Sequence, residues 1–223
     1  MTQERALIVG VGDGLSASLA RLFHKEGMEL ALASRNTEKF AGLAAETGAS
    51  VHTCDAGDRD SVASMFDALD SDGFVPDVVI YNPSFRVRGP VAELDQEAVE
   101  KTLMISAYGA FLVAQHAAKR MLTAGSGSIL FTGASAGVKG YANSAPFAMG
   151  KFALRGLAQS MARELHPQNI HIGHFVIDGG IGESADDSKL HPDAIADSYL
   201  HFHRQHRSSW AWEIELRPFV ENF

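Results

Sequence analysis

The sequence predicts a single α/β domain: a doubly wound, mostly parallel sheet of seven strands with helices on both faces. Two observations support this fold class. Short apolar runs alternate with segments of helical periodicity along the 223 residues, the order expected when helices connect parallel strands. The central apolar runs also lack polar alternation, as strands do when helices cover both faces of their sheet.

The individual elements follow from the local pattern. Strands are predicted at residues 6–9, 30–33, 51–54, 78–81, 129–131, 170–177 and 210–216. Helices are predicted between the first strand and a C-cap at Gly27, and near residues 37–46, 62–69, 95–122, 146–165 and 192–206. No repeat or linker divides the chain, so we expect one domain over residues 1–223. Within it, residues 183–206 are expected to form a lid and helix insertion on the substrate side.

Composition argues against several classes of partner. The formal net charge is −8 and no basic block stands out, so we expect neither nucleic acid nor an anionic membrane as a partner. No apolar run approaches the roughly 20 residues that span a bilayer, and the N-terminal residues lack the features of a signal peptide. Cys54 is the only cysteine, which prevents an internal disulfide. Cytoplasmic localisation is the resulting expectation.

A glycine-rich turn, Gly10-Val11-Gly12-Asp13-Gly14, follows the first predicted strand and opens the first helix. Glycine allows a tight turn and lets the backbone approach a pyrophosphate, while the helix N-terminus offers free amides to the anion. This position therefore predicts a Rossmann-type dinucleotide site. Its binding residues are expected to be Gly10, Gly12, Asp13, Gly14 and Leu15. The alternative is a glycine-rich turn with no ligand.

The residues after the second and third strands indicate which dinucleotide binds. Ser34-Arg35-Asn36 contains no carboxylate to bind the ribose 2′-hydroxyl of NAD, whereas Arg35 can pair with the 2′-phosphate of NADP. NADP(H) is therefore expected over NAD(H), with Ser34, Arg35 and Asn36 at the adenosine end; a solvated surface arginine is the alternative. Asp55, after the third strand, either accepts from the adenine amino group or caps the next helix.

Four further segments share a recurring pattern with one known family. They are Cys54-Asp55-Ala56-Gly57-Asp58, Ile80-Tyr81-Asn82-Pro83-Ser84, the run from Phe147 to Leu157, and Asp178-Gly179-Gly180. With the glycine turn, they resemble the short-chain dehydrogenase/reductase family over essentially the whole chain. The resemblance implies a Rossmann fold, an NAD(P)(H)-dependent oxidoreductase acting on a small molecule, and a homodimer or homotetramer. It also implies cofactor contacts from Ala56, Asn82, Pro83, Lys151, Gly179 and the backbone of Ile181.

The same resemblance shows where this chain departs from the family. The family's usual active site has a Tyr-x-x-x-Lys motif, a serine before it and an asparagine on the preceding long helix. The lysine is present as Lys151, but the tyrosine position is Phe147, the serine position is Ala134 and the asparagine position is Ser106. A phenyl ring has no ionisable group, so Phe147 cannot act as the general acid.

Ser135 and Tyr141 are the candidates for the missing polar groups. Ser135 follows the serine position by one residue, and Tyr141 lies six residues before Phe147 in the expected substrate loop. We predict catalytic roles for Lys151, Ser135 and Tyr141, and no metal site. Two functions stay open: an NADP-dependent oxidoreductase with an altered proton donor, and a catalytically silent NADP-binding sensor or assembly protein.

Overall fold

A computed structural model describes residues 3–221, so the first two and last two residues of the predicted domain lie outside the described residues. Seven strands form one sheet in the order β3-β2-β1-β4-β5-β6-β7, and every pairing is parallel. The strands are β1 (Arg5–Val9), β2 (Glu29–Ser34), β3 (Ser50–Thr53), β4 (Val78–Tyr81), β5 (Gly127–Thr132), β6 (Ile170–Ile177) and β7 (Glu213–Leu216). The predicted α/β fold class is confirmed.

Helices connect these strands. They are α1 (Leu15–Lys25), α2 (Ala41–Thr47), α3 (Arg59–Ser71), α4 (Gln96–Leu103), α5 (Gly109–Ala124), α6 (Ala145–Leu165) and α7 (Pro192–His203). The prediction of one long helix over 95–122 was incomplete, because a π-helical stretch, Met104–Tyr108, separates α4 from α5. The hydroxyl of Tyr81 donates to the carbonyl of Ile105 inside this stretch. A side chain that bonds a helix carbonyl in this way is a recognised cause of local helix distortion.

The sheet separates two apolar layers. Successive strand residues point to opposite faces, so Leu7 of β1 enters the layer formed by α3, α5 and α6, whereas Ile8 enters the layer formed by α1, α2 and α7. Both side chains are completely buried. This two-sided burial explains why the central strands read as continuous apolar runs. Among the helices of residues 3–221, none is long and apolar enough to cross a membrane.

The segment predicted as a lid, residues 183–206, divides into two parts. Residues 183–189 form a largely exposed loop. The helix α7 is instead a core element, because Ile195, Tyr199 and Phe202 are buried against the sheet and against α1. The apolar stripe of α7 covers one face of the sheet, and the loop before it is largely exposed, so a lid role for this loop stays a prediction.

Candidate functional site

The candidate site lies beyond the carboxyl ends of the strands, where β1 and β4 are neighbours. In the sheet, β2 and β3 lie on one side of β1 and β4 lies on its other side, so the strand order reverses at β1. In open α/β sheets, ligands bind in the crevice that such a reversal opens. Two cavities occupy the crevice, of about 380 Å³ and about 680 Å³. Asn82 and Ser84 line both cavities, which are therefore neighbours that share one wall.

The glycine turn borders the smaller cavity, and its glycines have different roles. Gly10 has φ +87°, and a Cβ atom there would lie 2.5 Å from the backbone nitrogen of Pro83, so only glycine fits. Gly12 and Gly14 have open space where a side chain would be. Gly14 precedes α1 without a capping side-chain bond, so no side chain caps the first amides of this helix. The turn therefore offers the bare backbone that a pyrophosphate requires.

Ser16 ties the glycine turn to the end of β4. Asn82 Nδ2 donates to Ser16 Oγ at 2.8 Å, and Ser16 Oγ donates to the carbonyl of Gly10 at 3.0 Å. The backbone amide of Asn82 donates to Val9 O at 3.0 Å. These bonds fix the wall between the two cavities, and they give Asn82 and Ser16 a structural role inside the site.

Two cations line the smaller cavity beside the loop after β2. Ser34 Oγ donates to Asn36 O at 3.2 Å, and Asn36 Oδ1 accepts from Glu38 N at 3.2 Å, so both polar residues shape the loop after β2. Arg35 is exposed beside them and lines the cavity together with Lys39. Neither cation has an ion pair within residues 3–221. Lys39 was not singled out from the sequence, although it lies only four residues after Arg35.

The position of Asp55 resolves one alternative from the sequence. The N-cap of α3 is Asp58, whose carboxylate accepts from Ser61 N at 2.7 Å. The capping role considered for Asp55 is therefore wrong, because the helix begins three residues later than that role requires. Asp55 Oδ1 accepts from Gly57 N at 3.0 Å, and Asp55 and Ala56 both line the smaller cavity.

Lys151 lies in the wall of the larger cavity beside the ring of Phe147. Its side chain is 2% exposed, and its ammonium donates to the carbonyl of Thr132 at 2.7 Å. Burial lowers the pKa of Lys151 to about 8. The Nζ atom lies 5.7 Å from the centre of the Phe147 ring, and the guanidinium of Arg86 lies 4.9 Å from the same centre. Two cations thus contact the ring of Phe147.

The carboxyl of Asp178 interacts with Ser135 and with two cations. Burial raises the pKa of the Asp178 carboxyl, but hydrogen bonds from Ser135 and Lys139 outweigh it and hold the pKa below its usual value. Lys139 Nζ and a guanidinium nitrogen of Arg217 lie 3.2 Å and 3.0 Å from Asp178 Oδ2. Ser135 therefore lines the larger cavity as part of a charged network, and Ala134 beside it adds no polar group.

The remaining predicted residues divide between the cavity and the core. Tyr141 lines the larger cavity and is 46% exposed. Gly179 and Ile181 line it as well, and the bridge between Ile181 and Leu190 uses the amide of Gly182 and the carbonyl of Gly180, not the amide of Ile181. Ser106 lies outside both cavities in the π-helical stretch, and its hydroxyl is completely buried.

Sequence reasoning missed several polar residues of the larger cavity, among them Arg86, Arg88 and Ser144. The two arginines alternate with apolar residues after β4, which was the available signal. Across the part of the chain that the structure covers, no three histidine, cysteine, aspartate or glutamate side chains converge as metal ligands. The described polar groups of the site include amides, hydroxyls, the buried ammonium of Lys151, exposed cations, and the carboxylates of Asp55, Asp178 and Glu221.

Known proteins resemble this chain in sequence and in fold. A family model described as enoyl-(acyl carrier protein) reductase matches residues 10–201. The chain belongs to the short-chain dehydrogenase/reductase family. A short-chain dehydrogenase from Rhodopseudomonas palustris is 33% identical, with a TM-score of 0.87 over 98% of this chain and 100% of that one. The (+)-borneol dehydrogenase 1 of Salvia officinalis is 29% identical over 83% of this chain and 74% of its own length.

A third match concerns the fold of this short-chain dehydrogenase/reductase. A metagenomic short-chain oxidoreductase, solved in complex with NADP, superposes with a TM-score of 0.87 over 98% of each chain at 24% identity. The two chains therefore share the complete doubly wound architecture, including the strand order that creates the crevice.

Proposed function

We propose that this chain is an oxidoreductase that binds NADP(H) in preference to NAD(H) and uses a proton-donor site different from the family's usual one. The observation that carries the proposal is the loop after β2. Arg35 and Lys39 line the smaller cavity without an ion-pair partner in residues 3–221, and residues 34–36 contain no carboxylate. A 2′-phosphate would meet two cations there, whereas a 2′-hydroxyl would meet no acceptor carboxylate.

The described residues fit a dinucleotide at its other contacts too. The open space beside Gly12 and Gly14 and the amides at the start of α1 suit the pyrophosphate. Asp55 and Ala56 would border the adenine, while Lys151, Gly179 and Ile181 would border the nicotinamide riboside. The solved NADP complex of a protein with the same fold supports this arrangement.

In the proposed reaction the protein residues orient the substrate and supply a proton. NADPH, when bound, supplies the hydride. Lys151, whose ammonium donates to Thr132 O in the structure, would hold the nicotinamide riboside through hydrogen bonds to its hydroxyls. Tyr141 is the proposed proton donor, because it carries the one phenol hydroxyl on the described wall of the larger cavity. A general acid contributes about 100- to 10,000-fold in rate, so a site without one would turn over slowly.

A second function is a catalytically silent NADP-binding sensor. The residues at the three positions that normally hold the polar catalytic groups favour this function. Phe147 and Ala134 have no side-chain donor, and Ser106 is buried away from the cavities. Such a protein would keep the cofactor cavity and lack turnover.

Cofactor preference is tested by titrating the protein with NADPH and with NADH and following nicotinamide fluorescence. We expect tighter binding of NADPH, and a roughly 10- to 100-fold loss of NADPH affinity in the double variant Arg35→Ser/Lys39→Ser, since a hydrogen bond to a charged group contributes about 1.5–3 kcal/mol. Arg59→Ser is the control, because Arg59 lines neither cavity. Equal loss of NADH and NADPH affinity, or no loss, would contradict the assignment of these cations.

Turnover separates the two functions. Wild type, Tyr141→Phe and Phe147→Tyr are assayed with NADPH and a panel of carbonyl compounds. The oxidoreductase proposal predicts wild-type turnover that falls by at least about tenfold in Tyr141→Phe. If only Phe147→Tyr reduces any carbonyl while all three proteins bind NADPH, the native chain is a binding protein. If wild type is active and Tyr141→Phe is unchanged, Tyr141 is not the donor.

A further inference from the structure

One wall of the larger cavity carries two arginines from a single extended segment. After β4, residues 82–88 have no helical or strand assignment, and exposure alternates along them: Ser84, Arg86 and Arg88 are exposed while Phe85 and Val87 are partly buried. Alternate residues of an extended chain point the same way. Ser84, Arg86 and Arg88 accordingly line the larger cavity, whereas Phe85 and Val87 do not.

Two contacts hold this segment against the cavity. The amide of Gly89 donates to Asn143 O at 3.0 Å, which joins the end of the segment to the loop that carries Tyr141. The guanidinium of Arg86 stacks over the Phe147 ring. Burial and the neighbouring charge of Arg88 both lower the pKa of Arg86, in keeping with their position on the same cavity. An anion bound between these two cations would offset their charges.

The carboxylates that face these arginines do not neutralise them in the structure. Asp178 lines the same cavity, but Lys139 and Arg217 already pair with its carboxylate. Glu221 also lines the cavity and is exposed. Within residues 3–221 neither Arg86 nor Arg88 forms an ion pair. The cations Arg86, Arg88 and Lys151 therefore leave this wall with an excess of unpaired positive charge.

A buried hydroxyl on the same cavity points independently to a polar ligand. Ser144 precedes α6, is 3% exposed and lines the larger cavity. Its Oγ has no hydrogen-bond partner in the described part of the chain, and it does not cap the helix. An unpaired buried hydroxyl destabilises a protein by about 1–3 kcal/mol, so a bound acceptor at this position would stabilise it. The start of α6 adds the positive end of a 21-residue helix.

We propose that the larger cavity selects carbonyl compounds that carry an anionic group, a carboxylate or a phosphate, held by Arg86 and Arg88 with Ser144 as a further donor. This inference rests on the proposed reductase function for its chemistry. Reduction forms one C–H bond from the hydride of NADPH, opens the carbonyl π bond, and adds one proton from Tyr141 to the oxygen, and water then returns a proton to Tyr141. The products are a hydroxy acid or a hydroxyalkyl phosphate and NADP⁺.

The test compares an anionic probe with a neutral probe of the same shape. 2-Oxobutanoate carries a carboxylate, and 2,3-pentanedione replaces it by an acetyl group. Calorimetric titrations use the free protein and the protein saturated with NADP⁺, in which no reduction can occur. Dihydroxyacetone phosphate is the phosphate arm. The variants are Arg86→Gln/Arg88→Gln and Glu221→Gln, and the control is Arg59→Gln, because Arg59 lines neither cavity.

The proposal predicts that wild type binds at least one of the two anions about tenfold tighter than the diketone, and that the double arginine variant loses this preference. Arg59→Gln should keep it, and Glu221→Gln should keep or strengthen it. The better of the two anions identifies the preferred group. Equal binding of anions and diketone, or an unchanged preference in the double variant, overturns the proposal. If NADPH fails to bind, the reductase function fails, while titration of the free protein still decides whether the arginines select anions.

Discussion

Replacing Lys151 by methionine removes a charge that folding buries, so its effect on stability should depend on pH. Burial lowers the pKa of this ammonium from 10.5 to about 8. Below that pKa the folded protein carries a desolvated cation, whereas the unfolded chain keeps the same cation in water. The variant Lys151→Met removes this unfavourable desolvation together with the hydrogen bond to Thr132 O.

The sign and size follow from proton binding by the two states. Between a pH of about 8 and 10.5, the unfolded chain holds the proton of Lys151 and the folded protein does not. The free energy of unfolding of the wild type therefore rises with pH across this window. This pKa shift corresponds to a rise of about 3 kcal/mol in the free energy of unfolding of the wild type. Lys151→Met lacks the ammonium and should not show this rise.

Urea unfolding of wild type and Lys151→Met from about pH 7 to pH 10.5 measures this directly. The difference in unfolding free energy, wild type minus variant, should increase by about 3 kcal/mol across the window. Lys25→Met is the matched control, because Lys25 is exposed on α1 in the folded protein. A difference that stays constant for Lys151→Met would refute the assignment of Lys151 as a buried cation.

Two further predictions concern the glycine turn and the edge of the sheet. Gly10→Ala should destabilise the protein by about 2–4 kcal/mol in urea unfolding, because alanine is strained at this positive φ and its Cβ would clash with Pro83. Gly12→Ala should change stability by under about 1 kcal/mol and weaken NADPH binding instead. The reverse pattern would contradict these roles. Glu213→Gln should lose about 1.5–3 kcal/mol at neutral pH, because Arg155 donates to Glu213 at 2.6 Å and 2.7 Å. Burial raises the pKa of Glu213, but the bonds from Arg155 hold it below its usual value, so this loss should shrink as the pH falls through the folded-state pKa. A loss that is independent of pH would exclude the charged pair as its cause.

The fold could be predicted because its signals are local. An apolar run without alternation reports burial on both faces, and the glycine turn at the first strand–helix junction reports the crevice. Helix boundaries and local helix distortions were harder to predict. The π-helical stretch depends on the Tyr81 hydroxyl reaching Ile105 from another element, and no periodicity within residues 95–122 records that contact.

The candidate site could be predicted only where one residue type at one position determines the outcome. Gly10 was identifiable, because the turn needs a backbone conformation that glycine favours. Ser135 was named from the sequence, but its interaction with the Asp178 carboxyl was not, because the two residues lie more than forty positions apart. Arg86 was missed for a similar reason, since its stacking on Phe147 exists only when the segment after β4 meets α6.

A crystal structure grown with NADP⁺ tests the central claim most directly. We expect electron density for the dinucleotide along the glycine turn, with the adenosine 2′-phosphate within hydrogen-bond distance of Arg35 or Lys39 and the nicotinamide riboside beside Lys151. Density at this turn with the 2′-phosphate turned into solvent would contradict the NADP preference. An empty turn at saturating NADP⁺ would contradict the cofactor assignment itself.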